Sequence, residues 1–192
     1  LGTNHPAHCA PVARLLPLLP AGHARATPQS SIAARGGAIS WEDLNGEKSY
    51  DSMKAYRQSK LAIGLFGIEL ARRSQARGWG ITSNVSHPGV APTSLLAARP
   101  ELGRSADTRE VRMIRWLSRR GVLVGTVESA TLPALLAATS PAAKDGGFYG
   151  PQGIGGTGGK PGETRLWKSL GNTADAARLW EVSEELTGVT VG

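Results

Sequence analysis

Apolar residues recur at close to 3.6-residue spacing over 52–77, where Met53, Tyr56, Leu61, Leu65, Ile68 and Leu70 predict the strongest helix of the chain. Asp51 or Ser52 offers a side-chain oxygen to cap it. Gly78 ends it, with Arg72, Arg73 and Arg77 in the last turns, where cations are favoured. Residues 3–20 carry a weaker helical pattern in Ala13, Leu15, Leu16, Leu18 and Leu19. Pro6 and Pro11 each remove a backbone donor, so the first half of that stretch is expected to be kinked or non-helical. A strand is expected over 25–31, weakened by Pro28, which cannot donate to a ladder. The polar, glycine-containing segment from Ala33 to Asp51 reads as a long functional loop. A strand follows at 80–86, with Ile81, Ser83 and Val85 alternating against their neighbours, and His87-Pro88-Gly89 stops it. Helices are predicted at 106–119 and 125–139, a short strand around Phe148-Tyr149, and an amphipathic helix over 173–187. That last helix is capped by Thr173 and faced by Ala177, Trp180, Val182 and Leu186; Trp116, with Met113 and Leu117 beside it, is expected to pack under its own helix. Residues 151–172 read as a glycine-rich surface loop, densest from Gly153 to Gly162.

This alternation of helices and strands implies an α/β fold with a parallel sheet and covering helices, one domain over 1–192. Composition narrows the class. With 192 residues and 40% hydrophobic, the chain can bury a real core. It contains no apolar run long enough for a transmembrane helix, and prolines at 6, 11, 17 and 20 break the opening stretch, which does not read as a signal peptide. The single cysteine, Cys9, excludes an intrachain disulfide, fits a reducing, cytoplasmic setting, and reads as a packed thiol. The net charge of +7 is scattered and not interleaved with aromatic residues, which reads as a solvated basic surface and not as a nucleic-acid module.

The candidate chemistry sits on the strongest helix. Tyr56 and Lys60 are four residues apart and so share a helix face. A tyrosine hydroxyl ordinarily titrates near pH ~10; an adjacent ammonium favours the phenolate and makes the phenol a usable general acid or base. The surrounding motifs are Ala55-Tyr-Arg-Gln-Ser-Lys-Leu61, a preceding Ser30-Ser31, a following His87-Pro-Gly-Val-Ala-Pro-Thr93 and an early Asn4-His5. To these are added Trp41-Glu-Asp-Leu-Asn-Gly-Glu47 and Arg178-Leu-Trp-Glu-Val-Ser-Glu-Glu-Leu186. In this ordered set the chain resembles the short-chain dehydrogenase/reductase family, in its retinol-dehydrogenase-like and protochlorophyllide-reductase-like branch. The resemblance covers essentially the whole chain. It implies the C-terminal part of a Rossmann-like doubly wound parallel sheet and a reversible hydride transfer between NADP or NAD and a small lipophilic alcohol or carbonyl compound. By the same resemblance Tyr56 exchanges a proton with the substrate oxygen, Lys60 assists it and holds the nicotinamide ribose, and Ser31 orients the reacting group. Asn4 holds a water against Lys60, while Pro88, Gly89 and Thr93 wall the nicotinamide. The Tyr56 helix forms a homodimer contact in many relatives.

The strand, Gly-x-x-x-Gly-x-Gly turn and helix that take a cofactor pyrophosphate in this family do not precede Asn4, so the N-terminal βαβ units are expected to be missing and the chain alone to show little or no turnover. Gly153-Ile-Gly155-Gly-Thr-Gly158 matches a nucleotide-binding pattern by letter, but it opens no apolar helix and is followed by Lys160-Pro161. No metal site is expected: His87 shapes the turn after its strand, and His5 and His8 have no further ligand at a suitable spacing. The alternative reading is a non-enzymatic remnant or interaction protein, using exposed sheet edges and apolar faces.

Overall fold

The computed structural model describes residues 1–93 and 106–190. Along the chain run α1 (Pro6–Leu15), β1 (Arg25–Ala26), α2 (Ser52–Arg77), β2 (Thr82–Ser83) and β3 (Val85–Ser86). They are followed by α3 (Arg109–Arg119), α4 (Val127–Thr139), β4 (Phe148–Pro151), β5 (Pro161–Glu163) and α5 (Thr173–Thr187). β1 pairs in parallel with β2, β3 in parallel with β4, and β5 runs antiparallel to β4. The segment 82–86 joins the two sheets because its amides alternate. Thr82, Asn84 and Ser86 donate to the carbonyls of Ala24, Ala26 and Pro28, while Val85 and His87 donate to Gly147 and Tyr149 on the other side. Adjacent side chains of this segment point to opposite faces. Ser83 Oγ donates to the Gly67 carbonyl of α2 at 2.8 Å, and Asn84 Nδ2 to the Ala137 carbonyl of α4 at 3.0 Å. Helices therefore cover both faces, the α/β architecture expected from the alternation.

The strand expected over 25–31 is regular only at Arg25–Ala26, with an isolated bridge from Gln29 to Ser86. Ala26, Pro28 and Ser30 are the residues facing 82–86, so the donor that Pro28 lacks falls on the paired side and interrupts the ladder there. The first helix corrects the expectation of a kinked opening half. Pro6 sits in the first turn, where its missing N–H costs nothing, and the helix continues through Pro11 to Leu15. The turn stretch lies instead over 16–23, which contains Pro17 and Pro20. The glycine-rich span 151–172 is not all loop, since β5 pairs back onto β4 there. Asn172, not Thr173, caps α5, accepting from Asp175 N–H at 3.1 Å.

α2 is the central element. Asp51 accepts from Lys54 N–H at its start, and Gly78 closes it at φ 64 in the left-handed region that glycine adopts freely. Leu61 and Leu65 pack with Val85, Phe148, Leu170 and Leu179 in one cluster, and Ile63, Phe66 and Leu70 with Cys9, Ile81 and Trp180 in another. Each such side chain contributes about 1.5–3 kcal/mol by leaving water. Phe66 stacks on Trp180 with centroids 5.2 Å apart. Trp116 does not pack under its helix as expected; it is 52% exposed.

Candidate active site

Parallel pairing brings the carboxyl ends of β1, β3 and β4 to one edge, where open α/β sheets hold their ligands. Ser30-Ser31 and His87-Pro88-Gly89 leave the sheet side by side at that edge, joined by Ser30 N–H donating to the Ser86 carbonyl at 2.8 Å. Ser30 Oγ donates to the Lys60 carbonyl at 2.7 Å and so pins α2 to the same edge. Lys60 Nζ in turn donates to the Gln29 carbonyl at 3.2 Å, and burial lowers the pKa of this amine from its ordinary value.

One helical turn before Lys60, the partly buried Tyr56 lines a cleft of about 560 Å³ together with Asn4, Leu44, Tyr50, Gln58 and Ser59. Asn4 Nδ2 donates to Ser59 Oγ at 3.1 Å, and Ser59 Oγ donates to the Tyr56 carbonyl at 2.9 Å. Asn4 and Lys60 also line a second cleft of about 420 Å³, walled by Thr27, Pro28, Gln29 and Phe66. Asn4 is thus common to the clefts of Tyr56 and Lys60. Ser31 is buried, caps the 3-10 turn Ile32–Gly36 and accepts from Ala33 N–H at 3.3 Å; it lines neither cleft.

Pro88, Gly89 and Thr93 lie past the end of β3, outside both clefts. Gly89 adopts φ 74, and a Cβ there would stand 2.6 Å from the Thr157 carbonyl oxygen, so only glycine fits. His87 is buried, stacked on Phe148 and tilted against Trp167, and its Nδ1 accepts from Gly89 N–H at 3.3 Å. Burial pushes this imidazole down to about 4, so it is neutral at pH 7 and shapes the turn. Among the described residues no cluster of side chains has the makings of a metal site. The Gly153–Gly158 stretch closes on itself through Gly153 N–H to the Gly158 carbonyl, and Val90 N–H donates to its Thr157 carbonyl. It buttresses the Gly89 turn and leads into no helix that could cradle a phosphate.

Two contributors escaped the sequence reading as site residues. Ser59 stood in the motif as context only, yet it links Asn4 to the tyrosine turn. Gln29 acts through its backbone carbonyl, for which no side-chain signal exists.

No family model matches the chain. The chain is 33% identical over 198 residues to retinol dehydrogenase 14 of Mus musculus, an alignment covering 98% of this chain and 52% of that protein. It is 39% identical over 135 residues to retinol dehydrogenase 13 of Homo sapiens, covering 69% of this chain and 39% of that one. Polyprenol dehydrogenase of Mus musculus is 36% identical over 122 residues, 61% of this chain and 35% of its own length. The chain thus spans about half the length of the first of these relatives and less of the others. Among solved structures, a crystal structure of an uncharacterised protein from Mycobacterium paratuberculosis superposes with a TM-score of 0.72 at 29% identity, over 100% of this chain and 59% of that one.

Proposed function

The chain belongs to the short-chain dehydrogenase/reductase family, on its retinol-dehydrogenase-like branch, and we propose that it carries the proton-handling side of a hydride-transfer site for a lipophilic alcohol or carbonyl compound. The observation that carries this reading is the placement of Lys60. Its amine is anchored on the Gln29 carbonyl at the carboxyl edge of the sheet, one turn from a phenol that lines an open cleft.

In this reading the Tyr56 hydroxyl gives its proton to the substrate oxygen in reduction and takes it back in oxidation. The Lys60 ammonium, one turn away, stabilises negative charge on the phenolic oxygen. Ser31, which lines neither cleft in this structure, enters the reading as the residue that orients the reacting oxygen; accepting from Ala33 N–H leaves its hydroxyl proton to donate. Asn4, fixed through Ser59, orients a water beside Lys60. A bound nicotinamide cofactor, NADP or NAD, supplies or receives the hydride. The residues present fit its ribose end, because Lys60 retains donors beyond its bond to Gln29. Pro88, Gly89 and Thr93 complete the reading as the wall beside the ring. The closed Gly153–Gly158 stretch does not fit a pyrophosphate, and low turnover from the chain assayed alone belongs to the same reading. A cytoplasmic location and a homodimer through α2 belong to the same reading; the described residues include no helix long and apolar enough to cross a membrane.

Titration with NADPH, followed by tryptophan emission, tests it. Saturable quenching that weakens in Lys60→Ala supports the reading, and no response up to millimolar NADPH overturns it.

One observation favours a second reading, an interaction protein. Among the described residues β1 has a neighbour on one side only, and the second cleft opens beside it with Thr27 Oγ1 buried and unpartnered. A molecular mass that rises with concentration, without cofactor binding, supports that alternative.

A further inference from the structure

We propose that the outer face of α3, with the turn that follows it, docks on the surface of an anionic lipid bilayer. The roll of this helix is set from inside. Val111 and Ser118 are buried, and Ser118 Oγ donates to the Gly125 carbonyl at 2.8 Å. Residues two and five positions beyond Val111 therefore turn away from the protein: Met113 is 56% exposed and Trp116 52%. Arg109, Arg112, Arg119 and Arg120 are exposed on the same side and surround them. The Arg120 guanidinium lies 4.4 Å from the centroid of the Trp116 ring. Arg115 is partnered by Asp107, and Glu110 is the one acidic residue within the helix.

The apolar surface continues past the helix end. Val122 and Leu123 are about half exposed, and Leu123 holds φ 64, a left-handed conformation uncommon for a leucine. Thr157 Oγ1 fixes that turn by donating to the Leu123 carbonyl at 2.5 Å. The same hydroxyl lies 2.9 Å from the Ile154 carbonyl, which places the 79% exposed Ile154 on the neighbouring loop. A helix with a tryptophan and a methionine along its outward line, arginines beside them and exposed aliphatic residues at its end has the composition of an interfacial element. The charge selects the partner: arginines meet lipid phosphates, while the apolar side chains enter the boundary between headgroups and acyl chains. A nucleic acid would engage the arginines alone and leave Met113, Leu123 and Ile154 in water. The inference does not depend on the hydride-transfer reading.

Co-sedimentation of the full chain with vesicles tests it, comparing phosphatidylcholine alone with phosphatidylcholine containing about a third phosphatidylserine. The expected result is binding to the anionic vesicles only, released by salt, with a blue shift of tryptophan emission that disappears in Trp116→Phe. Arg112→Glu/Arg119→Glu should weaken binding by about fivefold or more per arginine, and Met113→Ser should weaken it further, with unfolding midpoints unchanged because all three side chains are exposed. Equal binding to both vesicles, undiminished binding by the arginine variant, an emission shift that survives Trp116→Phe, or retention on DNA without vesicle binding overturns the proposal.

Discussion

The His5 imidazole lies 2.7 Å from the Ser183 hydroxyl, tying the residue that starts α1 to α5 across the buried interior. Ser183 Oγ donates to the Leu179 carbonyl, so it accepts from His5 Nε2–H, and Nδ1 is left to accept from the Cys9 thiol at 3.5 Å. Burial pushes that thiol up to about 12, which keeps its proton in place. Burial, with His8 and the chain's amino group adding, pushes His5 down to about 4, and His87 falls to about 4 by burial alone. Both histidines bind protons more readily when unfolded. Their contribution is complete above pH 6.5, the ordinary histidine value, and is lost as pH falls towards 4. Each is worth about 3 kcal/mol across that window. The urea midpoint should fall from pH 6.5 to 4.5, and His5→Gln should flatten the slope by about half. An unchanged slope in that variant would mean that His5 is not held neutral.

Gly67 lets α2 lie close to the sheet, as Gly64 lets it lie close to Leu170. A Cβ at Gly67 would stand 2.7 Å from Val85 Cγ2 and 3.0 Å from Pro28 Cγ, both in packed surroundings. Gly67→Ala gains about 1 kcal/mol of helix propensity but forces the helix off the strand at a cost of about 1–3 kcal/mol. Denaturant unfolding should show a net loss of up to about 2 kcal/mol; a net gain would show that the crossing has room to spare.

How much of this architecture the sequence discloses varies with how local its causes are. α2 is legible because Asp51, the apolar spacing and Gly78 all act within the helix itself. β5 is not legible, since Pro161–Glu163 has no alternation and becomes a strand only by pairing with β4. Spacing marks a stripe through Trp116 without saying which side faces in; the bond from Ser118 to Gly125 decides that and turns Trp116 outward. In the candidate site, that Tyr56 and Lys60 share a helix face follows from helix geometry alone. The anchoring of Lys60 on Gln29 needs the sheet to be assembled first.

Glu69 is nearly inaccessible, at 1% side-chain exposure, and is held by Arg72 at 2.6 Å and Arg73 at 2.7 Å. Burial opposes its ionisation, but the hydrogen bonds and charges of the two arginines outweigh that and keep its pKa below the ordinary carboxylate value. Arg73 also lies 4.6 Å from the Trp180 ring centroid, so the ion pair borders the core. Glu69→Gln should cost about 2–3 kcal/mol in urea unfolding, because Arg73 would then keep its charge without a counterion. The loss should persist in high salt, unlike that of an exposed pair; a loss abolished by salt would refute the burial argument.

Lys60 separates structural from chemical roles. Its bond to the Gln29 carbonyl lies at a half-buried rim that water can reach, so Lys60→Gln should change unfolding stability by less than about 1 kcal/mol. If the amine holds a cofactor ribose, the same variant should weaken NADPH binding by about tenfold or more, as expected for a charged donor. Tyr56→Phe should behave differently, leaving NADPH binding within about twofold while lowering any measurable turnover by about 10²–10⁴. Equal loss of cofactor binding in both variants would indicate a collapsed cleft and not two separable roles. A Lys60→Gln chain that binds NADPH as well as the parent would remove the amine from the cofactor site, whatever its distance from the phenol.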